Sequence, residues 1–172
     1  MEPSPPRVPT DRLQGWKIVS EAVERPFSAG PVSVIAGTVR YEPTDTAEPR
    51  PFFFASRLYI RPETGPNPML TRLVERGARD GFRERLAEND IDGVDHRHTR
   101  ELPIDEPPDT MATADTFRGR CLVDGEPVPV EAMLAVWEAE GYLLAGGAYP
   151  LVDDVDGARR RLRRIVRGVR SE

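Results

Sequence analysis

The sequence predicts an α+β domain in which an antiparallel sheet of about six to seven strands is packed by two amphipathic helices. Two observations carry this. Through residues 32–41, 52–60 and 142–149, β-branched, aromatic and aliphatic residues dominate and partly alternate with polar ones, which is the pattern of strands. Two other stretches, opening near Pro68 and Asp153, repeat apolar residues every three or four positions, the spacing of a helix with one buried stripe. At 172 residues the chain suits one domain that buries about 70% of its unfolded surface without a disulfide or metal. Residues 13–170 are expected to form that domain. Residues 1–12, with prolines at 3, 5, 6 and 9 and no period, are expected to be a disordered arm.

Taken in order, the chain opens with a mixed extended segment from Trp16 to Phe27, followed by a strand from Val32 to Tyr41. A loop through Pro43, Asp45, Glu48, Pro49 and Pro51 leads to the aromatic strand Phe52-Phe53-Phe54 and on to Ile60. Asn67 is a good N-cap and Pro68 suits the first helical position. Met69, Leu70, Leu73, Val74, Ala78, Phe82 and Leu86 then form the stripe of the first helix. Gly77 and Gly81 lie four residues apart on one side, where they are expected to let the helix lie close to a sheet. Asn89, Asp90 and Gly93 end it.

Strands are expected over 94–104 and 110–123, and Asp124-Gly125 is a hairpin turn signal. Residues 128–138 are ambiguous: Glu131–Ala135 has helical propensity, yet Val128, Val130, Ala132, Leu134 and Val136 share one face of a strand, with Met133, Ala135 and Trp137 on the other. A central strand covered on both sides reads this way, and strand is favoured. It pairs through 138–141 with 142–149. The final helix has Asp153, Asp154 and Asp156 at its start and arginines from Arg159 onward, both complementing the helix dipole.

Lys17 is the only lysine among 24 basic residues, against 29 acids, for a net charge of -5. The arginine bias suggests a high-GC genome, and with the acidic excess it resembles proteins of halophilic archaea, although high-GC codon usage alone would give the same arginine enrichment. The acidic balance argues against a nucleic-acid backbone as partner. A lone cysteine, Cys121, forms no internal disulfide, which points to a reducing compartment. No apolar run approaches a membrane span, and neither a signal peptide nor a lipidation motif is read. A soluble, cytoplasmic protein with no membrane partner is therefore expected.

No constellation carries a recognisable chemistry. His96 and His98, two apart on an expected strand, would put both imidazoles on one side, a spacing able to hold a metal ion. A third ligand is missing, with Asp95 and Glu101 only nominal choices, and Arg97 and Arg100 oppose a cation, so no metal or other cofactor is assigned. His96, His98 and Arg100 remain the candidate binding residues. Cys121 lacks a nucleophile signature. Gly146-Gly147 lacks phosphate-loop spacing and reads as a strand packed closely on a helix. Arg160, Arg163, Arg164 and Arg167 give the last helix a basic face where an acidic partner or nucleic acid could bind. Without interleaved aromatics and with 29 acids in the chain, it is read as solvated and salt-bridged. No catalytic residue is assigned.

One resemblance adds to this. Val136-Trp137-Glu138, then Gly141 to Pro150 and the amphipathic terminal helix, resemble the last hairpin and helix of PsbP-like domains. The chain also resembles small uncharacterised proteins of halophilic archaea. The first resemblance implies an α/β/α sandwich and a binding or assembly role, with an unknown protein or small ligand as partner. A non-enzymatic binding or accessory module is the expectation. The alternative is a small-ligand carrier or enzyme with a pocket between sheet and helix.

Overall fold

The computed structural model describes residues 3–29, 31–44, 50–63 and 65–171. Among these, eight strands form one antiparallel sheet, and two helices cover its two faces. The strands are β1 (Trp16–Glu24), β2 (Ser28–Ala29), β3 (Val32–Pro43), β4 (Phe52–Arg61), β5 (Asp92–Ile104), β6 (Thr110–Val123), β7 (Glu126–Glu138) and β8 (Tyr142–Pro150). The helices are α1 (Pro68–Glu88), between β4 and β5, and α2 (Val155–Arg167), after β8. The seven long strands lie in the order β1-β3-β4-β8-β7-β6-β5, and β2 pairs only with β3. The chain is thus an α/β/α sandwich of the α+β class.

Alternation along the central strands divides the core in two. Phe54, Leu58, Leu134, Leu144 and Phe117 pack with Leu70, Val74, Phe82 and Leu86 of α1. On the other face, Phe53, Ala55, Met133, Ala135 and Leu143 pack with Leu162, Ile165 and Val166 of α2. A strand buried on both faces has no polar side to alternate with, which is why 128–138 reads ambiguously and yet is β7. The helix starts follow their caps. The Leu70 N–H donates to Asn67 Oδ1 at 2.9 Å, and the Gly157 N–H to Asp154 Oδ1 at 2.9 Å. Asp124 and Gly125 take φ of 52° and 81°, the left-handed pair that a tight β6–β7 hairpin requires.

Two glycine expectations resolve differently. A Cβ on Gly147 would meet the Phe52 carbonyl and lie 3.1 Å from Leu162 of α2, as expected for a strand packed closely on a helix. Gly77 and Gly81 make room not for the sheet but for Phe27 and the Pro26 carbonyl, in the connection between β1 and β2.

The proline-rich opening departs from the expected disordered arm over the residues described. Backbone bonds join Arg7 N–H to Arg170 O at 2.8 Å and Arg170 N–H to Arg7 O at 2.9 Å. Val8 is 7% exposed and joins the α2-side core, while the Ser4 backbone crosses directly over Gly37. Prolines lack an N–H to satisfy, so such a segment docks over a sheet with few hydrogen bonds. Met1 and Glu2, and residues 45–49 of the loop after β3, lie outside the described residues.

The second departure is in β5. His96 lies opposite Phe117, whereas His98 lies opposite Thr116. Two steps on β5 against one on β6 define a bulge with Arg97 as the extra residue, and an extra residue reverses which face the following side chains take.

Two substitutions test this arrangement. Phe117→Ala should cost about 3–5 kcal/mol in chemical denaturation, because Phe117 is 0% exposed between sheet and α1. Gly37→Val should lift residues 3–8 off the sheet, read as faster tryptic cleavage after Arg7 while the core remains folded.

Candidate functional site

The bulge at Arg97 separates the two histidines that the sequence placed on one side. His96 turns to the α1 face. Its ring meets Phe117 edge-on, with centroids 5.3 Å apart, and its Nε2 lies 2.8 Å from Asp115 Oδ1. Asp115, 1% exposed, also accepts from Thr99 Oγ1 at 2.5 Å and faces Arg79 of α1 at 3.8 Å. A buried carboxylate needs such partners, and His96 serves as one of them.

His98 turns to the α2 face, where it joins Arg100 in a cleft of about 350 Å³ between the sheet and α2. The structure therefore unites two of the three predicted binding residues and excludes the third. The floor is Thr116, Glu131, Met133 and Tyr149, and Arg118, Arg159, Leu162 and Arg163 complete the walls.

At the centre is Glu131, 4% exposed on β7. Its carboxylate accepts a hydrogen bond from the Tyr149 hydroxyl. It also accepts from Arg159 Nε at 2.8 Å and Arg159 Nη2 at 3.1 Å, and from Arg118 Nη2 at 3.4 Å. The two Arg159 bonds form the planar fork that guanidinium offers a carboxylate. Burial alone would raise the Glu131 pKa, but hydrogen bonds from Arg159 and Tyr149, with the charges of Arg159 and Arg118, hold it below the usual carboxylate range. Burial and the bond to Glu131 push the Tyr149 phenol up, while the bond to Glu131 also raises Arg159. Each group is fixed in its resting charge state at neutral pH. His98 is held below its ordinary value by burial and then by Arg100, which favours the neutral imidazole.

Four guanidinium groups thus face one carboxylate in a chain whose net charge is -5. Arg159 is committed to Glu131. Among the described residues, no carboxylate lies within ion-pair distance of Arg100 or Arg163. Glu131, Tyr149, Arg118 and Arg159 were not anticipated. The available signal was Glu131 itself, the one carboxylate between Val128 and Trp137, a stretch otherwise apolar on both sides.

Cys121 is buried on the α1 face, in a separate cavity of about 540 Å³ with Arg40, Glu42, Arg50 and Phe52. The β6 register places it four residues beyond the partner of His96, about 13 Å along the strand, so the two form no dyad. Among the described residues, no three His, Cys, Asp or Glu side chains come together as a metal set. No described helix is long and apolar enough to cross a membrane. In the basic face of α2, Arg167 is salt-bridged to Asp105 at 3.4 Å, as read from the sequence. Arg160, Arg163 and Arg164 depart from that reading: among the described residues none of them has a carboxylate within ion-pair distance.

The depressed Glu131 fixes the sign of a pH effect. Its contribution to stability is present above the unfolded glutamate pKa of about 4.3 and is lost as pH falls through the lower folded value. Glu131→Gln should cost about 1.5–3 kcal/mol at neutral pH. The variant should then lose less further stability than the parent on acidification, as followed by urea melts across the acid range.

Comparisons with curated proteins and with solved structures found no match. One family model matches residues 5–170, a domain of unknown function designated DUF6517, and with nearly its whole length covered the chain belongs to that family.

Proposed function

We propose that this protein is a non-enzymatic binding or accessory module whose cleft between the sheet and α2 receives an anionic group. The observation that carries the reading is the surplus of guanidinium over carboxylate in that cleft, within an otherwise acidic chain. Planar arginines from β5, β6 and α2 converge there, and such donors match carboxylate or phosphate oxygens in pairs. The cleft volume falls at the lower end of small-ligand sites, about 300–1,000 Å³. Glu131, Tyr149 and Arg159 support binding over proton transfer, because each reinforces the charge state that the others already hold. Their role is to pin α2 to the sheet and hold the cleft open in one shape.

The likeness of the closing hairpin and helix to PsbP-like domains supports the same reading by analogy, since that fold mostly serves binding and assembly. A cytoplasmic, halophilic setting belongs to the proposal too. It is supported by the lone cysteine and by the acidic, arginine-rich composition.

Calorimetric titration with citrate and with inorganic phosphate tests the proposal. Saturable binding that weakens as salt rises is expected. Arg163→Gln should weaken it by about tenfold, and Cys121→Ser should leave it unchanged. Absence of binding at low salt, or binding indifferent to Arg163→Gln, would count against the cleft.

A further inference from the structure

The cleft opens beside β5, which is an edge of the sheet. Beyond the bulge, β5 pairs with β6 in unbroken register from His98 opposite Thr116 to Ile104 opposite Thr110. One side of this run is hydrogen-bonded to β6. Among the described residues, the other presents the unpaired N–H and C=O groups of an edge strand. Its far end is occupied, since Arg167 Nε donates to Pro103 O at 3.1 Å and the Asp105 N–H donates to Arg167 O at 3.0 Å. Residues 98–102 form the open stretch.

Resting on the reading of the cleft as an anion site, we propose that the anion is a side-chain carboxylate. It is carried by an extended acidic segment of a partner protein that adds as a strand along β5. His98 and Arg100 are at once edge-strand residues and walls of the cleft. A strand added beside them sets alternate side chains about 5 Å away on the same face, directly against Arg100 and the overhanging Arg163. Glu101 falls on the opposite face by alternation and repels acid there. The favoured segment is therefore acidic at every second position and apolar between. Positive charge extends past the cleft onto Arg160 and Arg164 of α2, which lengthens the complementary surface.

A peptide fits these features better than a nucleic acid does. Unpaired backbone amides and carbonyls recognise another backbone, the one Phe, Tyr or Trp lining the cleft among the described residues, Tyr149, is buried, and the net charge of -5 opposes a polyphosphate.

The test uses the full chain and a fluorescein-labelled short peptide alternating glutamate and valine, followed by anisotropy. Salt-sensitive binding is expected, weakened by about tenfold in Arg100→Gln. A peptide of the same charges with N-methylated backbone amides should bind poorly. When the unmodified peptide binds, amide hydrogen exchange should slow at Thr99 and Glu101, whose N–H groups face away from β6 as the Pro103 carbonyl does. Should the methylated peptide bind equally well, or neither of those amides slow, strand addition is overturned while citrate binding can still stand. If neither citrate nor peptide binds, the cleft reading falls as well. A short single-stranded oligonucleotide binding more tightly than the peptide would overturn the choice of partner.

Discussion

A carboxylate at the centre of a sheet covered on both faces cannot be left to itself, and the geometry of the cleft follows from how Glu131 is satisfied. Removing such a group from water costs several kcal/mol unless hydrogen bonds and charge replace the lost solvent. Tyr149 of the neighbouring strand and Arg159 of α2 supply them directly, and Arg118 of β6 adds charge from the other side. The apolar stripe of α2 gives attraction without direction, whereas the fork of Arg159 on Glu131 fixes where along the sheet the helix sits. Once Arg159 is spent in this way, Arg100 and Arg163 stand without a carboxylate within ion-pair distance among the described residues, and the site acquires its sign.

The two faces of the sheet are accordingly unlike in chemistry. On the α1 side, Asp115 is enclosed by His96, Thr99 and Arg79, a cluster whose partners meet one another's demands. On the α2 side, positive charge exceeds negative around an open cleft. The bulge at Arg97 assigns one histidine to each. In an unbulged strand His98 would share the face of His96, and the α2 cleft would lose an imidazole whose Nε2 lies 3.4 Å from Arg100 Nη2.

The sequence carried the fold well where a local signal has a local cause. Asn67 and Asp154 mark helix starts because their side chains satisfy N–H groups three residues on. Asp124-Gly125 marks a hairpin because its backbone needs positive φ. The acid-to-base gradient along α2 follows its dipole. Residues that act through tertiary contact were less legible. A bulge leaves no periodicity of its own, so His96-Arg97-His98 reads as plain alternation and its two rings as neighbours. The docking of Val8 depends on a groove assembled from distant strands, and proline content alone suggests an untethered arm. The cleft draws on β5, β6, β7, β8 and α2, and no window of the chain contains more than a part of it. Only Glu131, set among apolar residues of a doubly covered strand, announced that a partner had to come from elsewhere.

The deciding property is which face of the sheet accepts an anion. Arginine side-chain Nε–Hε resonances, followed by NMR during citrate addition, report on that directly. Shifts at Arg100, Arg118 and Arg163, with Arg159 little changed and Arg40 and Arg50 of the α1-side cavity unmoved, are the predicted result. Shifts confined to Arg40 and Arg50, or spread evenly over the arginines of both faces, would contradict it.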